Sequence, residues 1–334
     1  MAFNFYPIFV VLAFLIIFIS KKYKFFLDKK KDNHKKIYNP NKNYFLGGIF
    51  LIIFVLYFSI NWKKYLKLLF LFFIFLIGFL SDFKILNDPK KRFILQGIII
   101  LLFVTLLDIK ILSTRLDLLD VYLKNNFFNY IFVAFCLMVL INGCNFIDGL
   151  NTLLITYKLI ILLSIIILLQ NNFIDGQNNY ELLFILAFIF LLNSFGLIIL
   201  GDSGAYLLSL MFGLNLINFS NVNNIISPFF IVLLLWYPCF ELFYSIIRRT
   251  ISYKRSYKAD INHLHHLLYS KFFSKSKYNF KINHLFTSLS INLYNLLAFW
   301  VGLNFIYQTK ILIVIIITNI IVYLIIYNSV KNKL

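Results

Sequence analysis

Residues 127–170 read FFNYIFVAFCLMVLINGCNFIDGLNTLLITYKLIILLSIIILLQ, and this stretch decides the class of the fold. It holds two apolar runs, at roughly residues 127 to 142 and 152 to 170, which approach the length needed to cross about 30 Å of hydrocarbon. The short segment between the runs carries Asn, Asp and Gly residues. The stretch therefore predicts two consecutive membrane helices joined by a polar connection.

The same pattern recurs along all 334 residues, of which 61% are hydrophobic and 13% charged. Soluble domains average about 45–50% apolar and about 25% charged residues, so a mean hydropathy of +0.84 excludes an ordinary soluble protein. We expect an all-α integral membrane protein that forms a single polytopic domain over residues 1–334. About eleven membrane helices are predicted, at roughly residues 3 to 20, 45 to 61, 65 to 81, 93 to 108, 127 to 142, 152 to 170, 181 to 199, 205 to 218, 225 to 247, 285 to 307 and 311 to 329.

The distribution of basic residues predicts the orientation of these helices. The first run has no basic residue before it and a dense basic segment after it, which is typical of a membrane anchor with its N-terminus outside. With that orientation, the cytoplasmic segments carry 24 Lys and Arg residues and the opposite face carries 7. The positive-inside rule therefore favours a cytoplasmic C-terminus, with a basic cytoplasmic loop at 248–284.

The formal net charge of +19 does not by itself indicate a nucleic-acid partner. Of the 32 basic residues 27 are Lys, in a chain also rich in Ile, Asn and Phe, a bias that AT-rich coding would produce. We expect the lipid bilayer, and no nucleic acid, as a partner. The cysteines are odd in number, widely spaced and set in or beside apolar runs, so neither a disulfide framework nor a zinc site is indicated.

Polar residues gather at the ends of the predicted helices, all on the face predicted to be cytoplasmic. Polar residues that interrupt membrane helices are costly, which makes them functional candidates by default. Five such clusters occur: NPNKNYFLGGI (39–49), GFLSDFKILNDPKKRFILQ (78–96), NGCNFIDGLNTL (142–153), GDSGAYLL (201–208) and RRTISYKRSYKADINHLHHLL (248–268). A transport path would instead distribute polar residues through the depth of several helices. Their position favours a catalytic site, with a non-catalytic transporter or scaffold as the alternative from another class.

Two carboxylates in these clusters suggest a metal. Asp148 and Asp202 each lie beside a glycine between two apolar runs, where an unpaired carboxylate is expensive. A divalent cation would compensate them, and oxygen ligands without a nearby cysteine favour Mg²⁺, with Mn²⁺ as the second choice. An ion pair with Lys or Arg is the structural alternative.

The fifth cluster adds the opposite charge. Its arginines, lysines and histidines have a density suited to phosphate oxygens, although a basic segment of this kind is most often a solvated loop. Zinc is a weaker reading of the histidines, because HLHH lacks cysteine partners and the HExxH pattern. Acidic residues with a metal, facing a basic loop, describe a site for a diphosphate.

Taken together, the five motifs resemble the polyprenyl-phosphate N-acetylhexosamine-1-phosphate transferase superfamily, glycosyltransferase family 4, from about residue 30 to residue 268. NFIDG followed by GDSGA and DINHLHHLL is the most specific part of the resemblance. It implies a Mg²⁺-dependent enzyme that transfers a HexNAc-1-phosphate from a UDP-HexNAc to a polyprenyl phosphate and releases UMP, as the first membrane step of cell-envelope glycan assembly. It further implies a multi-pass protein of the bacterial cytoplasmic membrane with a cytoplasmic active site; a homodimer is left open.

The resemblance also assigns roles to individual residues. It implies a metal ligand at Asp202, and it places Asn145 and Asp148 close to metal and nucleotide. The expected catalytic residues are acidic: Asp82, Asp148 and Asp202. The expected substrate-binding residues are polar or basic and include the HxHH-like signature: Asn142, Lys36, Lys42, Arg249, Lys258, His263, His265 and His266.

The sequence departs from the family pattern in three places, one of them a pair of adjacent residues. Ser81 stands where the first of two adjacent aspartates is usual, and Glu241 stands where aspartate is usual. The pair Asn151 and Thr152 replaces Asp-Gly. A base on the lipid phosphate is not required, because a phosphate monoester with a second pKa of about 6 is mostly dianionic at neutral pH. The HLHH pattern favours simple UDP-HexNAc donors, and a phospho-MurNAc-pentapeptide transferase is the alternative enzyme.

Overall fold

The computed structural model describes residues 5–28, 44–61, 65–169, 179–251, 262–273 and 280–332. Within these ranges the chain forms helices and no strand, and a short π-helical turn at Tyr269–Phe273. The α-helices, in chain order, are α1 (Phe5–Tyr23), α2 (Gly47–Asn61), α3 (Tyr65–Asp82), α4 (Pro89–Leu106), α5 (Asp117–Leu123), α6 (Asn126–Ile147), α7 (Leu153–Leu169), α8 (Asn179–Ser194), α9 (Gly201–Val222), α10 (Pro228–Ile251), α11 (Leu264–Leu268), α12 (Phe280–Leu303) and α13 (Thr309–Lys331).

The all-helical class predicted from the sequence is confirmed. Among the described residues, seven helices are long and apolar enough to cross a membrane: α1, α3, α6, α9, α10, α12 and α13. Shorter apolar helices, α2, α7 and α8, coincide with three more of the predicted runs, and α4 coincides with the last. Each of the eleven predicted runs therefore overlaps a helix. Eleven crossings and the orientation of the two termini stay predictions.

Helix α9 is the most deeply buried of the long helices and packs against α2, α3 and α6. Glycines on its neighbours allow this close approach. A Cβ atom at Gly78 would lie 2.5 Å from the backbone nitrogen of Ser203, and one at Gly48 would lie 2.6 Å from that of Gly204. Small residues bring membrane helices together in the same way. Helix α9 thus packs closely against the GG motif of α2 and the GFLSD motif of α3.

Helix α10 contains Pro238 in its interior, so the carbonyl of Leu234 loses its usual helical donor. The hydroxyl of Tyr157 on α7 donates to that carbonyl over 2.9 Å. A neighbouring helix therefore satisfies the backbone group that the proline leaves open, which is how proline is tolerated inside membrane helices. On the other side, the carbonyl carbon of Pro238 would lie 2.8 Å from a Cβ at Gly143 of α6.

Helix α7 also carries Lys158, which is fully buried inside the bundle. Its Nζ lies 5.0 Å from the centroid of the Phe212 ring on α9 and makes no hydrogen bond with the residues that the structure describes. The electron-rich face of this ring therefore attracts the ammonium group of Lys158.

The polar clusters meet at one end of the bundle, where α2, α4, α7 and α9 begin and α3, α6 and α10 end. Amides at the start of α2 donate to the carbonyls of Ile199 and Leu200, just before α9. Asn142 near the end of α6 donates to Gln96 of α4 over 3.2 Å. We call this the polar end of the bundle, and it holds the candidate site.

The connection from α6 to α7 contains a backbone conformation that its sequence disfavours. Thr152 has φ +69°, in the left-handed region, where a β-branched residue is an outlier. Its amide donates to Asn193 Oδ1 over 2.5 Å, which anchors the connection to α8. Glycine adopts this conformation without steric cost. Threonine at this position therefore carries backbone strain.

Replacing Thr152 by glycine is expected to raise the free energy of unfolding by about 1 kcal/mol, because the left-handed conformation costs an L residue about that much. Thermal unfolding of the detergent-solubilised protein would measure the gain. Thr152→Val is the control, since it keeps the branched Cβ and removes only the buried hydroxyl, which has no hydrogen-bond partner among the described residues. A glycine variant no more stable than the valine variant would show that the backbone is not strained.

Candidate functional site

Asp202 lies in the first turn of α9 at the polar end, where the positive end of the helix dipole favours a carboxylate. Its Oδ2 accepts a hydrogen bond from the Ser81 hydroxyl at 2.6 Å and one from Arg92 Nη1 at 2.7 Å. The Ser81 oxygen in turn accepts from Arg92 Nη1 at 2.5 Å. The predicted metal ligand is thus held in an ion pair with an arginine from the first turn of α4.

Asp82, the last residue of α3, caps the start of α9. Its Oδ1 accepts from the amide of Asp202 at 2.9 Å, and its Oδ2 accepts from the amide and the hydroxyl of Ser203 at 3.1 and 2.8 Å. The first amides of a helix have no partner inside it, so this carboxylate satisfies two of them. A side chain at Gly201, whose φ is +76°, would collide with Asp82. These contacts show that Asp82 fixes the position of Asp202. A catalytic role for Asp82 stays a prediction.

A second polar group is built around the buried Glu241 of α10. Its Oε1 lies 2.9 Å from His263 Nδ1, and its Oε2 accepts from the Tyr323 hydroxyl at 2.7 Å. The other ring nitrogen of His263, Nε2, lies 3.4 Å from Arg249 Nη2. When Nδ1–H donates to the carboxylate, the Nε2 lone pair faces the guanidinium. His263 is therefore placed to orient Arg249, whereas the sequence predicts that it contacts the diphosphate itself.

Arg249 and the histidines pack onto the end of α6. The Arg249 guanidinium lies 5.3 Å from the ring centroid of Phe146, a residue of the NFIDG motif. A Cβ at Gly149 would lie 2.5 Å from His265 Nε2 and 2.8 Å from His266 Nε2, so only glycine leaves room for both rings. The structure thus brings together two motifs that are more than a hundred residues apart in the sequence.

The side chain of His265 is fully buried beside two other imidazoles, and the centroid of the His266 ring lies 4.2 Å from its own. Burial, and then the neighbouring histidines, hold the pKa of His265 well below its usual value of about 6.5. His265 is therefore neutral at pH 7, because the cost of desolvating a charge would fall on the protonated ring.

Acidification is expected to destabilise this region. At pH values between the folded-state pKa of His265 and about 6.5, the unfolded chain binds more protons than the folded one. The free energy of unfolding therefore falls as the pH falls through this range, by up to about 1.4 kcal/mol per pH unit. Melting temperatures at pH 7.5 and 5.5 would measure the effect. His265→Gln removes the titrating group and should reduce the difference between the two pH values. An equal loss in both proteins would contradict a depressed pKa at this residue.

The three predicted residues of α6 lie between these two groups, since α6 packs against both α9 and α10. Asn142 bonds Gln96 of α4, which the structure buries completely. Asn145 is half-buried one turn later, and Asp148 is the C-cap residue of α6. The sequence did not single out Arg92 or Gln96, although both lie in the quoted GFLSD to ILQ cluster. Three predicted lysines fall outside the described residues: Lys36, Lys42 and Lys258.

The side chains at the polar end fit a metal ion that takes some of its ligands from substrate and water. The described residues contain no group of three or more His, Cys, Asp or Glu side chains able to hold a metal ion. Mg²⁺ is usually bound by one or two carboxylates together with waters and substrate phosphates, and it does not need a complete protein cage. Asp202 fits this limited role, because its side chain is 17% exposed at the start of α9 and offers oxygen ligands.

Residues 65–220 match the family model described as glycosyl transferase family 4. The matched segment runs from the start of α3 almost to the end of α9, so it includes Asp82, Asp148 and Asp202, while Glu241 and the HLHH segment lie beyond it. The match confirms the resemblance predicted from the motifs and supports a polyprenyl-phosphate sugar-1-phosphate transferase kind of function. A comparison with curated proteins gives no match.

Proposed function

Because residues 65–220 match the family model described as glycosyl transferase family 4, we propose that this membrane protein transfers a HexNAc-1-phosphate from a UDP-HexNAc to a polyprenyl phosphate. UMP is the second product. One observation carries the proposal beyond the family match: the carboxylate of Asp202 and the cation of Arg249 lie at the same end of the bundle, on the two helices that flank α6. An acidic metal-binding position and a basic position are what a nucleotide diphosphate requires.

The reaction needs charge neutralisation and positioning more than covalent chemistry. An oxygen of the polyprenyl phosphate attacks the sugar-side phosphorus of the UDP-sugar, and the bond from that phosphorus to the UMP oxygen breaks. Arg249, oriented by His263 and Glu241, would stabilise the charge that develops on UMP. Mg²⁺, when bound, supplies positive charge to the diphosphate. Asp202, with Asn145 or Asp148, would hold it.

The acceptor phosphate is already mostly dianionic at neutral pH, so it can attack without a base. This is consistent with Ser81, which stands where the family pattern has an aspartate. Asp82 would support the reaction by keeping the start of α9, and with it Asp202, at a fixed distance from α3.

A lipid acceptor agrees with the surroundings of the polar end. Several helices that meet there are apolar enough to cross a membrane, so a polyprenyl tail would lie in the bilayer while its phosphate reaches the polar residues. We place the protein in the bacterial cytoplasmic membrane with this end on the cytoplasmic side, because the basic residues are concentrated there.

The test is a transfer assay with purified protein, radiolabelled UDP-GlcNAc, polyprenyl phosphate and Mg²⁺. We expect a lipid-linked radioactive product and an equal amount of UMP, and neither when the polyprenyl phosphate is omitted. Parallel reactions with UDP-GalNAc, a UDP-6-deoxy-HexNAc and UDP-MurNAc-pentapeptide identify the donor. Product from the last donor alone would favour the pentapeptide transferase. Absence of product from every donor, with folded protein, would overturn the proposal in favour of a non-catalytic protein.

A further inference from the structure

We propose that Arg92 neutralises the Asp202 carboxylate when no metal is bound. Arg92 and Ser81 together lower the affinity of this carboxylate for a divalent metal. The inference deepens the proposed function, on which the metal-binding role of Asp202 rests. It rests on the contacts of Arg92 and Ser81 in the structure, which the sequence motifs do not predict. Its consequence is a site that takes up its metal weakly in the absence of the diphosphate.

The first argument is geometric. Oδ2 of Asp202 accepts from both Ser81 and Arg92, and a carboxylate oxygen has two lone pairs, so a metal on this oxygen must displace one of the two donors. The same Arg92 nitrogen, Nη1, also reaches Ser81 at 2.5 Å and the Tyr206 hydroxyl at 3.4 Å. Nη1 therefore lies among the oxygens of Asp202, Ser81 and Tyr206, beside the carboxylate oxygen that a metal would take.

The second argument concerns charge. Asp202 and Arg92 cancel each other, while both oxygens of the neighbouring Asp82 are directed at the amides of α9. A second carboxylate at position 81 would leave this group with one more negative charge. The hydroxyl of Ser81 supplies a hydrogen bond and no charge. The present combination keeps one net negative charge, on Asp82, whose oxygens are occupied by the α9 amides, so it attracts a divalent cation less than a group with a second carboxylate at position 81 would.

The third argument is that the pairing can be broken. Arg92 Nε is buried and has no hydrogen-bond partner among the described residues, so the guanidinium binds Asp202 through a single nitrogen and not as a bidentate fork. Its side chain is 19% exposed, which gives it a route towards water or towards a substrate phosphate. When a metal arrives together with a diphosphate, Arg92 can leave Asp202 and pair with a substrate phosphate. The Asp202 carboxylate is then open to the metal.

The experiment titrates Mn²⁺ into the purified full-length protein without any substrate and follows free Mn²⁺ by electron paramagnetic resonance. Arg92→Gln removes the charge, and Ser81→Asp adds one of opposite sign. We expect each to tighten Mn²⁺ binding by at least about tenfold, since a unit charge about 4 Å from a divalent ion has at least that effect even in a water-like dielectric. The matched charge control, Arg92→Lys, keeps the cation and should stay within about threefold of the parent protein. Ser81→Ala frees one lone pair of Asp202 Oδ2 without adding a charge, so it should tighten binding by less than Ser81→Asp does.

Asp202→Asn localises the signal, because its amide keeps an oxygen acceptor for Ser81 and Arg92 but loses the charge. Tightening that disappears in the double variant with Asp202→Asn supports the inference. Unchanged or weaker binding in Arg92→Gln overturns it, and so does the absence of Mn²⁺ binding in every variant. Melting temperatures show whether each variant is folded. The transfer assay, run separately, decides the proposed function, which stands if product forms whatever the result of the Mn²⁺ titration.

Discussion

Asp202→Asn is expected to lower the rate of sugar-phosphate transfer by at least about a hundredfold while leaving the fold intact. The substitution removes the negative charge at the start of α9, and groups that stabilise charge in an active site are typically worth about 10²–10³ in rate. The fold should persist because the amide oxygen still accepts from Ser81 and Arg92, and the cap made by Asp82 binds the backbone of Asp202 and not its side chain. Initial rates at saturating UDP-sugar measure the effect.

A carboxylate remote from the polar end provides the control for this prediction. Asp117 is an exposed residue in the first turn of α5, a short helix between the far end of α4 and the start of α6. Asp117→Asn makes the same chemical change and should alter the rate less than about twofold. A rate in Asp202→Asn close to that of Asp117→Asn would remove Asp202 from the mechanism.

Gly78→Ala is expected to cost about 3 kcal/mol of stability, the upper end of the usual range for overpacking, and to abolish activity. The added methyl group would lie 2.5 Å from the backbone nitrogen of Ser203 and 2.7 Å from the carbonyl carbon of Asp202. Backbone atoms cannot rotate away as a side chain can, so α3 and α9 must separate, and overpacking of this kind costs about 1–3 kcal/mol or more. The separation would also pull the carboxylate of Asp82 away from the amides that it caps.

Gly97→Ala is the matched control, because it makes the same substitution in the middle of α4. The nearest atom to its new Cβ would be Met138 Cε at 3.9 Å, an ordinary van der Waals distance. Alanine also favours a helix by about 0.5–1 kcal/mol over glycine. We expect unchanged or slightly higher stability and full activity. Thermal unfolding and size-exclusion profiles of the two variants would show the difference; equal behaviour would mean that α3 and α9 are not held by close backbone contact.

The helices could be predicted from the sequence because the bilayer imposes strong constraints, and every apolar run of sufficient length overlaps a helix. The cost of a carboxylate near a membrane made Asp202 a candidate for metal binding, and the structure pairs it with Arg92, which is the ion pair that the sequence left as the alternative. The motif order also predicted that NFIDG and HLHH belong to one site, and the packing of His265 against Gly149 is consistent with it.

The partners of the polar side chains could not be predicted in the same way. Arg92 pairs with Asp202 across 110 positions of sequence, and Arg92 is one of four basic residues in its cluster, so composition does not distinguish it. His263 looked like its two neighbours in the HLHH pattern, yet only its ring is held by Glu241. These pairings depend on which helix faces which, and hydropathy carries no information about that.

Lys158 has a consequence for how the protein is made. A lysine in the middle of a membrane helix opposes insertion by about 2.5–3.5 kcal/mol, and the many Leu and Ile residues of α7, each worth about −0.3 to −0.6 kcal/mol, offset that cost. The ring that lies against the Lys158 ammonium group, Phe212, belongs to α9, which is synthesised after α7 and α8. This contact therefore forms only once α9 is in place. The helix that carries Asp202 thus also completes the surroundings of a charge that lies in a helix synthesised before it.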